Sequence, residues 1–549
     1  SIVAASNSVA DENGNSSALS LKNARDLLDQ NTMPLSPEVN GQADYDMAET
    51  LFHEAYDAAP DLPRAFRQYA MLLADKERWN ELATLARGRV TKAPWDGWAW
   101  MTLGLATHRQ KDSRFAAVAF DSAMKNLDPS ERARLDRIER ILRKSDTAFM
   151  SRGSESDRAA KLRLYWLFAD PLWSRDGNES RIEYLARVTY AELRWTVEEL
   201  DVHGLDSDRG DIYVRYGPPD IVASFGVDLS QNIETYSTVW AYRTGLMFSF
   251  EGAPMYATAR TPLEDQGFVA EVKEAKPVQW DNLSAYKIDS MPTQVARFRG
   301  GRDSVDVLVA AEPAFDRIKK SSELGFAPRT DFWLLAGGTI KVYQDSARMT
   351  AAGVRTWTRR VGQGNYVFRV EASTDGGTVA GRAVAPIVAS VDPVSGFSPR
   401  GFGLSDLLLT SSVEPVPTAG PRWRDLKLTP IAGTIAFKTE LSLVWENYEF
   451  GNKDGTSQYH VAVIVQREKS GAGRLMAKII GSISGAVVDR TDDRVSMRFD
   501  RTIPYAAAFS DYVSIGLEET PPGSYRVTLE VTDTVTQKTA TRTAMFTVK

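Results

Sequence analysis

WAWMTLGLATHRQKDSRFAAVAFDSAMKNLDP, residues 98–129, is the stretch that decides how the first part of this chain folds. Its first half sets Trp100, Leu103 and Gly104 at helical spacing, its second half Ala116, Phe120 and Ala123, with a polar turn between. Thirty-four positions upstream, Phe66, Tyr69 and Ala70 stand in the places of Trp100, Leu103 and Gly104, and Pro94 in that of Asp128. Sixty-eight positions upstream, Ala48, Phe52, Ala55 and Pro60 match Ala116, Phe120, Ala123 and, one place late, Pro129. Small residues let paired helices approach, large ones fill the space between pairs, and proline blocks an early start of the next helix. Such a unit cannot bury its apolar face alone, so it stacks on neighbours and leaves a curved surface free for recognition.

The period and the W-x-x-L-G run from Trp100 to Gly104 resemble tetratricopeptide repeats, over about a sixth of the chain. Residues 44–61 fit only the second helix of a unit, because Pro34 and Pro37 interrupt the place of its first. The middle unit has Leu82 and Ala86 where the pattern has Ala and a large aromatic. Two to three repeats lie near the roughly three-repeat minimum, so the array is expected to lean on the helices that follow. Trp95 and Trp98 flank Gly97 in a connecting turn and are candidate interaction residues, tryptophan being enriched at interfaces.

With 549 residues the chain has room for three to four domains, and 43% hydrophobic with 25% charged residues gives ample core. A net charge of −6 without a basic stripe argues against a nucleic-acid partner. No run reaches the roughly 18 apolar residues of a membrane span. Absence of cysteine excludes disulfides, thiolate metal sites and cysteine nucleophiles. The opening at Ser1, followed by a Ser/Asn/Ala-rich stretch, reads as a mature start after signal removal, with a flexible lead over residues 1–18.

Further along, a short helix is expected over 19–30, a charged amphipathic helix over 130–144, and a boundary in the Ser/Gly/Asp stretch 151–157. Residues 158–202 read as helical with an interruption at Asp170-Pro171, the second half turning Tyr184, Val188, Ala191, Trp195 and Val197 towards a core. From Gly210 the pattern alternates, which predicts a strand with Ile212, Val214 and Tyr216 on one face, halted by Gly217-Pro218-Pro219-Asp220. Residues 238–250 predict one or two more strands, and the chain is β-rich from about Pro292. There Gly364-Asn365-Tyr366 with Phe368, Val370 and Glu371 is echoed by Gly523-Ser524-Tyr525 with Val527, Leu529 and Glu530. A tyrosine opening a late strand of an immunoglobulin-like sandwich bonds back to the preceding corner. Two tandem β-sandwiches are therefore expected at 291–412 and 421–549, joined by a proline-bearing linker over 412–421, with Ala544, Phe546 and Val548 facing inward on the last strand.

Signatures of chemistry are sparse. His53, His108, His203 and His460 lack zinc-ligand spacing, and His108 has no histidine three or four residues away. No G-x-S-x-G elbow, phosphate loop or dinucleotide loop occurs: Ile483 takes the place of the serine and Asp406 that of a third glycine. The densest polar cluster is Asp206, Asp208, Arg209, Asp211, Arg215 and Asp220. Its functional reading is a calcium loop or a pair of carboxylates; Gly210 at the fifth ligand position weakens the former. The plainer reading is a helix-to-strand corner held by Asp caps and an Arg–Asp pair.

Residues 168–220 resemble the GWxTD-domain family of bacterial envelope proteins. The matching pieces are Leu172-Trp173-Ser174-Arg175-Asp176, Asn178-Glu179, Glu183-Tyr184 and above all the run from Asp208, Arg209 and Gly210 through Tyr213, Arg215, Tyr216, Gly217, Pro218 and Pro219 to Asp220. Glu234-Thr235-Tyr236 with Trp240 and Tyr242 also fits, as does 404–409. The name-giving motif departs, with Gly204-Leu205-Asp206-Ser207-Asp208 carrying Leu for Trp and Ser for Thr. The resemblance implies an extracytoplasmic (periplasmic) protein, membrane-associated through partners or a lipid anchor upstream of Ser1, and supplies no reaction. One member of such a family is similar to an accessory subunit of a bacterial photosynthetic reaction-centre–antenna complex.

The expected fold is a multidomain α+β chain: helical repeats over 19–150, a GWxTD-like α+β domain over 151–290 and two immunoglobulin-like sandwiches. The expected function is that of a non-catalytic scaffold binding other protein subunits of a membrane complex, with no cofactor, metal or nucleic acid. The alternatives are a carbohydrate-active hydrolase using the 206–220 region, and a glycan- or peptide-binding envelope protein.

Overall fold

The computed structural model describes residues 41–197, 201–226, 236–243, 246–251, 258–259, 287–301, 303–312, 328–336, 342–348, 353–374, 379–389, 401–415, 420–436, 439–468, 478–480, 486–491, 493–517 and 520–549. The helix expected over 19–30 and most of the 412–421 linker's second half lie outside them. Helices dominate the N-terminal part and sheets the C-terminal part, and the chain forms two compact units, Ser1–Ser284 and Ala285–Lys549.

The first unit opens with α1 (Gly41–Ala58), α2 (Pro63–Asp75), α3 (Trp79–Lys92), α4 (Gly97–Arg109) and α5 (Ser113–Asn126). The thirty-four-residue period reaches the hydrogen bonds. After α2, Arg78 N–H donates to Leu73 O at 2.8 Å; after α4, Asp112 N–H donates to Thr107 O at 3.0 Å. These six-to-one closures leave Glu77 (φ 53°) and Lys111 (φ 68°) in the left-handed region, a place glycine ordinarily takes. Gly104 is required by contact: a Cβ there would lie 2.6 Å from the Phe120 ring.

α6 (Pro129–Leu135) ends earlier than the helix expected over 130–144, and a 3₁₀ turn, Ile138–Ile141, follows. Leu135, Ile138 and Leu142 are buried, but the carbonyls there bond to tertiary partners. The Tyr184 hydroxyl donates to Leu135 O at 2.7 Å, and Arg215 donates to Arg140 O and Leu142 O.

Then come α7 (Lys144–Met150), α8 (Glu155–Ala169), which stops before Asp170-Pro171, and α9 (Glu179–Trp195). α9 is buried nearly all round, with Tyr184, Val188, Ala191 and Trp195 in the core. It supports the repeats and covers surface that a self-standing array would leave open. His108 Nε2 meets Glu183 at 2.6 Å, Tyr190 donates to Asp75 at 2.7 Å, and Arg181 donates to Asp121 at 2.7 Å. One hydrophobic core accordingly runs from Ala48 to Phe250, without dividing at residue 150.

The strand expected from Gly210 is instead a helix, α10 (Asp208–Tyr216). Arg209, Ile212, Tyr213, Val214, Arg215 and Tyr216 are all buried and only Asp208 and Asp211 keep partial exposure, so the 3.6-residue period is weakly marked and the alternation of apolar residues is accidental. After it, β1 (Ile221–Gly226), β2 (Tyr236–Ala241), β3 (Met247–Glu251) and β4 (Thr258–Ala259) form an antiparallel sheet in that order. Trp240, Phe248 and Phe250 join the helical core.

In the second unit, β6 (Thr293–Arg299), β7 (Ser304–Ala311) and β10 (Arg355–Gly362) make one sheet. It shares a core with a second sheet of β5 (Lys287–Ser290), β8 (Pro328–Ala336), β9 (Val342–Arg348), β11 (Gly364–Thr374) and β12 (Val379–Ala389). The remaining strands are β13 (Gly403–Leu404), β14 (Leu408–Pro415), β15 (Leu426–Pro430), β16 (Thr434–Ile435), β17 (Glu440–Tyr448), β18 (Thr456–Arg467), β19 (Lys478–Ile480), β20 (Val487–Arg490), β21 (Arg494–Pro504), β22 (Ala508–Gly516), β23 (Gly523–Asp533) and β24 (Thr539–Val548). They form sheets ordered β15-β14-β17-β22-β19 and β16-β24-β23-β18-β21-β20 around another shared core.

The stretch expected to begin a linker at Ser412 is strand as far as Pro415, and β14 pairs with β15 and β17. The boundary therefore falls before Leu408, because the apolar run Leu407-Leu408-Leu409 is buried with the later sheets and their junction. β7 is buried on both faces, so its sheet is covered on both sides. Val305, Val307 and Val309 face the first core, while Leu308 and Ala310 join Phe298, Trp423, Leu408 and Val444 in a junction core. The glycine–tyrosine echo holds at the level of atoms. Gly364 and Gly523 adopt φ 154° and 152°, and the Tyr366 and Tyr525 hydroxyls donate to Gly362 O (3.0 Å) and Pro521 O (2.6 Å), each four residues back.

Candidate functional site

The tips of the first two complete helical hairpins, the C-terminal half of α9, the start of α10 and the strands β1 and β2 enclose a cleft of about 570 Å³. That lies within the range of pockets that take small ligands or short peptide segments. Asp75 and Arg109, and likewise Glu77 and Lys111, line it from equivalent positions thirty-four residues apart. Short helices followed by left-handed turns bring these polar residues to the hairpin tips.

The opposite wall is aromatic. Tyr190 stacks on Tyr213 at 4.7 Å and 22°; Trp195 meets Tyr213 edge-on at 5.3 Å and Trp240 at 5.6 Å. Burial pushes the Tyr213 hydroxyl up to about 12 and that of Tyr190 well above its ordinary value, so both stay protonated. Tyr190 donates to Asp75, whose side chain is 8% exposed and also accepts from Arg194 Nε at 2.9 Å. Arg209 lies over the Phe250 ring at 5.4 Å and donates to Thr238 Oγ1 at 3.3 Å. Pro218 and Pro219 form the rim; Gly217 ahead of them has φ 82°, and its carbonyl accepts from the Tyr242 hydroxyl at 3.0 Å.

Of the sequence-picked residues, Arg209, Tyr213, Pro218 and Pro219 line the cleft together. The rest of the motif builds the corner. Ser207 Oγ caps α10 by accepting from Gly210 N–H at 3.0 Å, in the role expected of an aspartate. Gly210 has no room for a side chain, since a Cβ would lie 1.8 Å from Gly204 O. Asp208 sits in the first turn, where a carboxylate favours the helix N-terminus. Asp206 and Asp211 both reach the Arg140 guanidinium, at 3.3 and 3.2 Å, and Asp220 pairs with Arg243 at 3.0 Å. Arg215 and Tyr216 are buried structural residues.

Trp95 and Trp98 lie away from the cleft lining. Trp95 is 72% exposed, whereas Trp98 donates to Glu131 at 2.8 Å and carries Arg67 5.4 Å from its ring centre. The partner of His108 is the distant Glu183, which also accepts from Arg187 at 2.6 Å. Burial alone would raise the Glu183 carboxyl, but the Arg187 charge and the His108 hydrogen bond outweigh it and hold the group well below the ordinary range. Among the described residues no cluster of three or more His, Asp or Glu has metal-binding geometry, and no helix is long and apolar enough to cross a membrane.

Trp79, Arg109, Lys111, Tyr190 and Trp195 complete the cleft without having been singled out as site residues. The signal available for the hairpin tips was their shared repeat position. Comparison with protein-family models gives no match, and neither does comparison with curated proteins.

Proposed function

We propose that this chain is a non-catalytic extracytoplasmic scaffold that binds and stabilises a membrane-associated protein complex. In finer terms it is a GWxTD-type envelope protein with tetratricopeptide-like repeats and two immunoglobulin-like sandwiches. The family resemblance points to the extracytoplasmic face of a photosynthetic reaction-centre–antenna assembly.

The observation that carries this reading is the fate of the densest acidic cluster. Asp206 and Asp211 share one guanidinium, and Asp220 is tied to Arg243, so these carboxylates hold the corner. A hydrolase of the two-carboxylate kind needs its pair across a substrate cleft, and this arrangement lends that alternative little support. What the fold presents instead is contact surface. Trp95 stands out from the repeats, and the aromatic cleft is preformed.

The test is recovery of the tagged chain from native membranes in mild detergent. Co-purification with other subunits at fixed stoichiometry, across an interface above about 1,000 Å², is the expected result. Recovery as a lone monomer would overturn the reading.

A further inference from the structure

The cleft has a chemical character that says what it takes. Its lining, among the described residues, includes four cations (Arg109, Lys111, Arg194, Arg209) and two acids (Asp75, Glu77). Asp75 is already engaged by Arg194 and Tyr190. Arg109 and Lys111 form no ion pair among the described residues. The Arg109 guanidinium lies 6.0 Å from the Trp79 ring centre, at the outer edge of cation–π range, and Lys111 is exposed at the mouth. Trp79, Tyr190 and Trp240 line the cleft beside them, and Val222, 52% exposed, stands with Pro218 and Pro219 at the rim.

Positive charge at the mouth and an aromatic lining suit a carboxylate carried next to an apolar or aromatic group. Among the described residues the lining has no glycine to supply the run of backbone amides that cradles a phosphate. The described residues of the lining also include no Asn or Gln, the side-chain amides that read sugar hydroxyls in both donor and acceptor roles. We infer that this cleft binds an acidic, aromatic-bearing peptide segment of a partner protein, with Arg109 and Lys111 holding its carboxylates and Trp79, Tyr190 and Trp240 packing its aromatic ring. The inference rests on the scaffold reading for the existence of a partner protein. It places recognition at the hairpin tips and the proline rim, away from the repeat surface that α9 covers.

The experiment uses the full chain and two synthetic peptides, acetyl-Asp-Glu-Tyr-Glu-Asp-amide and its amide counterpart acetyl-Asn-Gln-Tyr-Gln-Asn-amide, titrated by calorimetry and tryptophan fluorescence. Saturable binding of the acidic peptide is expected, with at least tenfold weaker binding of the amide peptide and of the acidic peptide to the double variant Arg109→Ala, Lys111→Ala. Glu77→Gln removes a like charge from the mouth and is expected to tighten acidic-peptide binding severalfold, a gain that misfolding cannot mimic. Equal binding of the two peptides, binding unchanged in the double variant, or no binding at all would overturn the inference. So would saturable binding of inorganic tripolyphosphate or a uronic-acid oligosaccharide in preference to the acidic peptide. Failure here with intact co-purification from membranes removes the cleft assignment and leaves the scaffold; peptide binding by a chain recovered alone removes the scaffold.

Discussion

Glu77 and Lys111 occupy the same backbone conformation, φ 53° and 68°, at the tips of successive helical hairpins, and both look into one cleft. A left-handed residue with a Cβ costs about 1–2 kcal/mol relative to a right-handed one, and glycine escapes that cost while losing more chain entropy on folding. Lys111→Gly is therefore expected to raise stability by up to about 1 kcal/mol. The same change should weaken acidic-peptide binding. Denaturant melts and peptide titration of this one variant separate the two effects, and a loss of stability would contradict the turn assignment.

Two glycines in the repeats make opposite predictions. At Gly104 a Cβ would meet the Phe120 ring at 2.6 Å, and that ring is fully buried. Gly104→Ala is expected to destabilise by about 1–3 kcal/mol through overpacking. Gly88, exposed within α3, would meet nothing within 4 Å. Gly88→Ala should stabilise by roughly 0.5–1 kcal/mol, because alanine has less backbone freedom to lose in a helix. Midpoints of urea unfolding for the two variants should move in opposite directions.

Glu183 joins α9 to α4 through His108 and pairs with Arg187 one turn along its own helix, its side chain 11% exposed. Its pKa is depressed in the fold, so its contribution is complete above the unfolded value near 4.5 and is lost as pH falls from there towards the folded value. Glu183→Gln leaves Arg187 facing a neutral amide and is expected to cost about 3 kcal/mol at pH 7. The gap to the native chain should narrow progressively below pH 4.5. A gap independent of pH between 7 and 3 would show that packing, not charge, accounts for the residue.

The repeats were legible because their contacts are written in side-chain size: Gly104 faces Phe120, and the same small and large positions recur at a fixed period. What covers them was not. α9 is tied to the array by His108–Glu183 and Tyr190–Asp75, pairs 75 and 115 positions apart, and no local pattern announces such partners. α10 reads as a strand in sequence because most of its polar side chains, Arg209 and Arg215 among them, are buried, although Ser207 ahead of Asp208 and Gly217 behind Tyr216 are ordinary start and stop signals. One side of the cleft was visible through Arg209, Tyr213, Pro218 and Pro219 of the motif run. Across from it, Trp79, Arg109 and Lys111 sit at helix ends and a turn whose composition reads as ordinary surface.

Tyr366 and Tyr525 test whether the echoed corners matter equally. Both hydroxyls donate to a carbonyl four residues back. Tyr525 is fully buried, and its oxygen also accepts from Arg467 at 3.1 and 3.3 Å, so the corner ties β23 to the end of β18. Tyr366 is half-buried, beside solvent that can replace the lost bond. Removing an accessible hydrogen bond costs about 0.5–1.5 kcal/mol, and stripping a buried charged donor of an acceptor costs about 1–3 kcal/mol more. Tyr525→Phe should therefore destabilise its sandwich by at least twice as much as Tyr366→Phe destabilises the other. Amide hydrogen exchange along β23 and β11 reads the two corners separately, and equal loss of protection in both would mean that Arg467 gains nothing from the tyrosine.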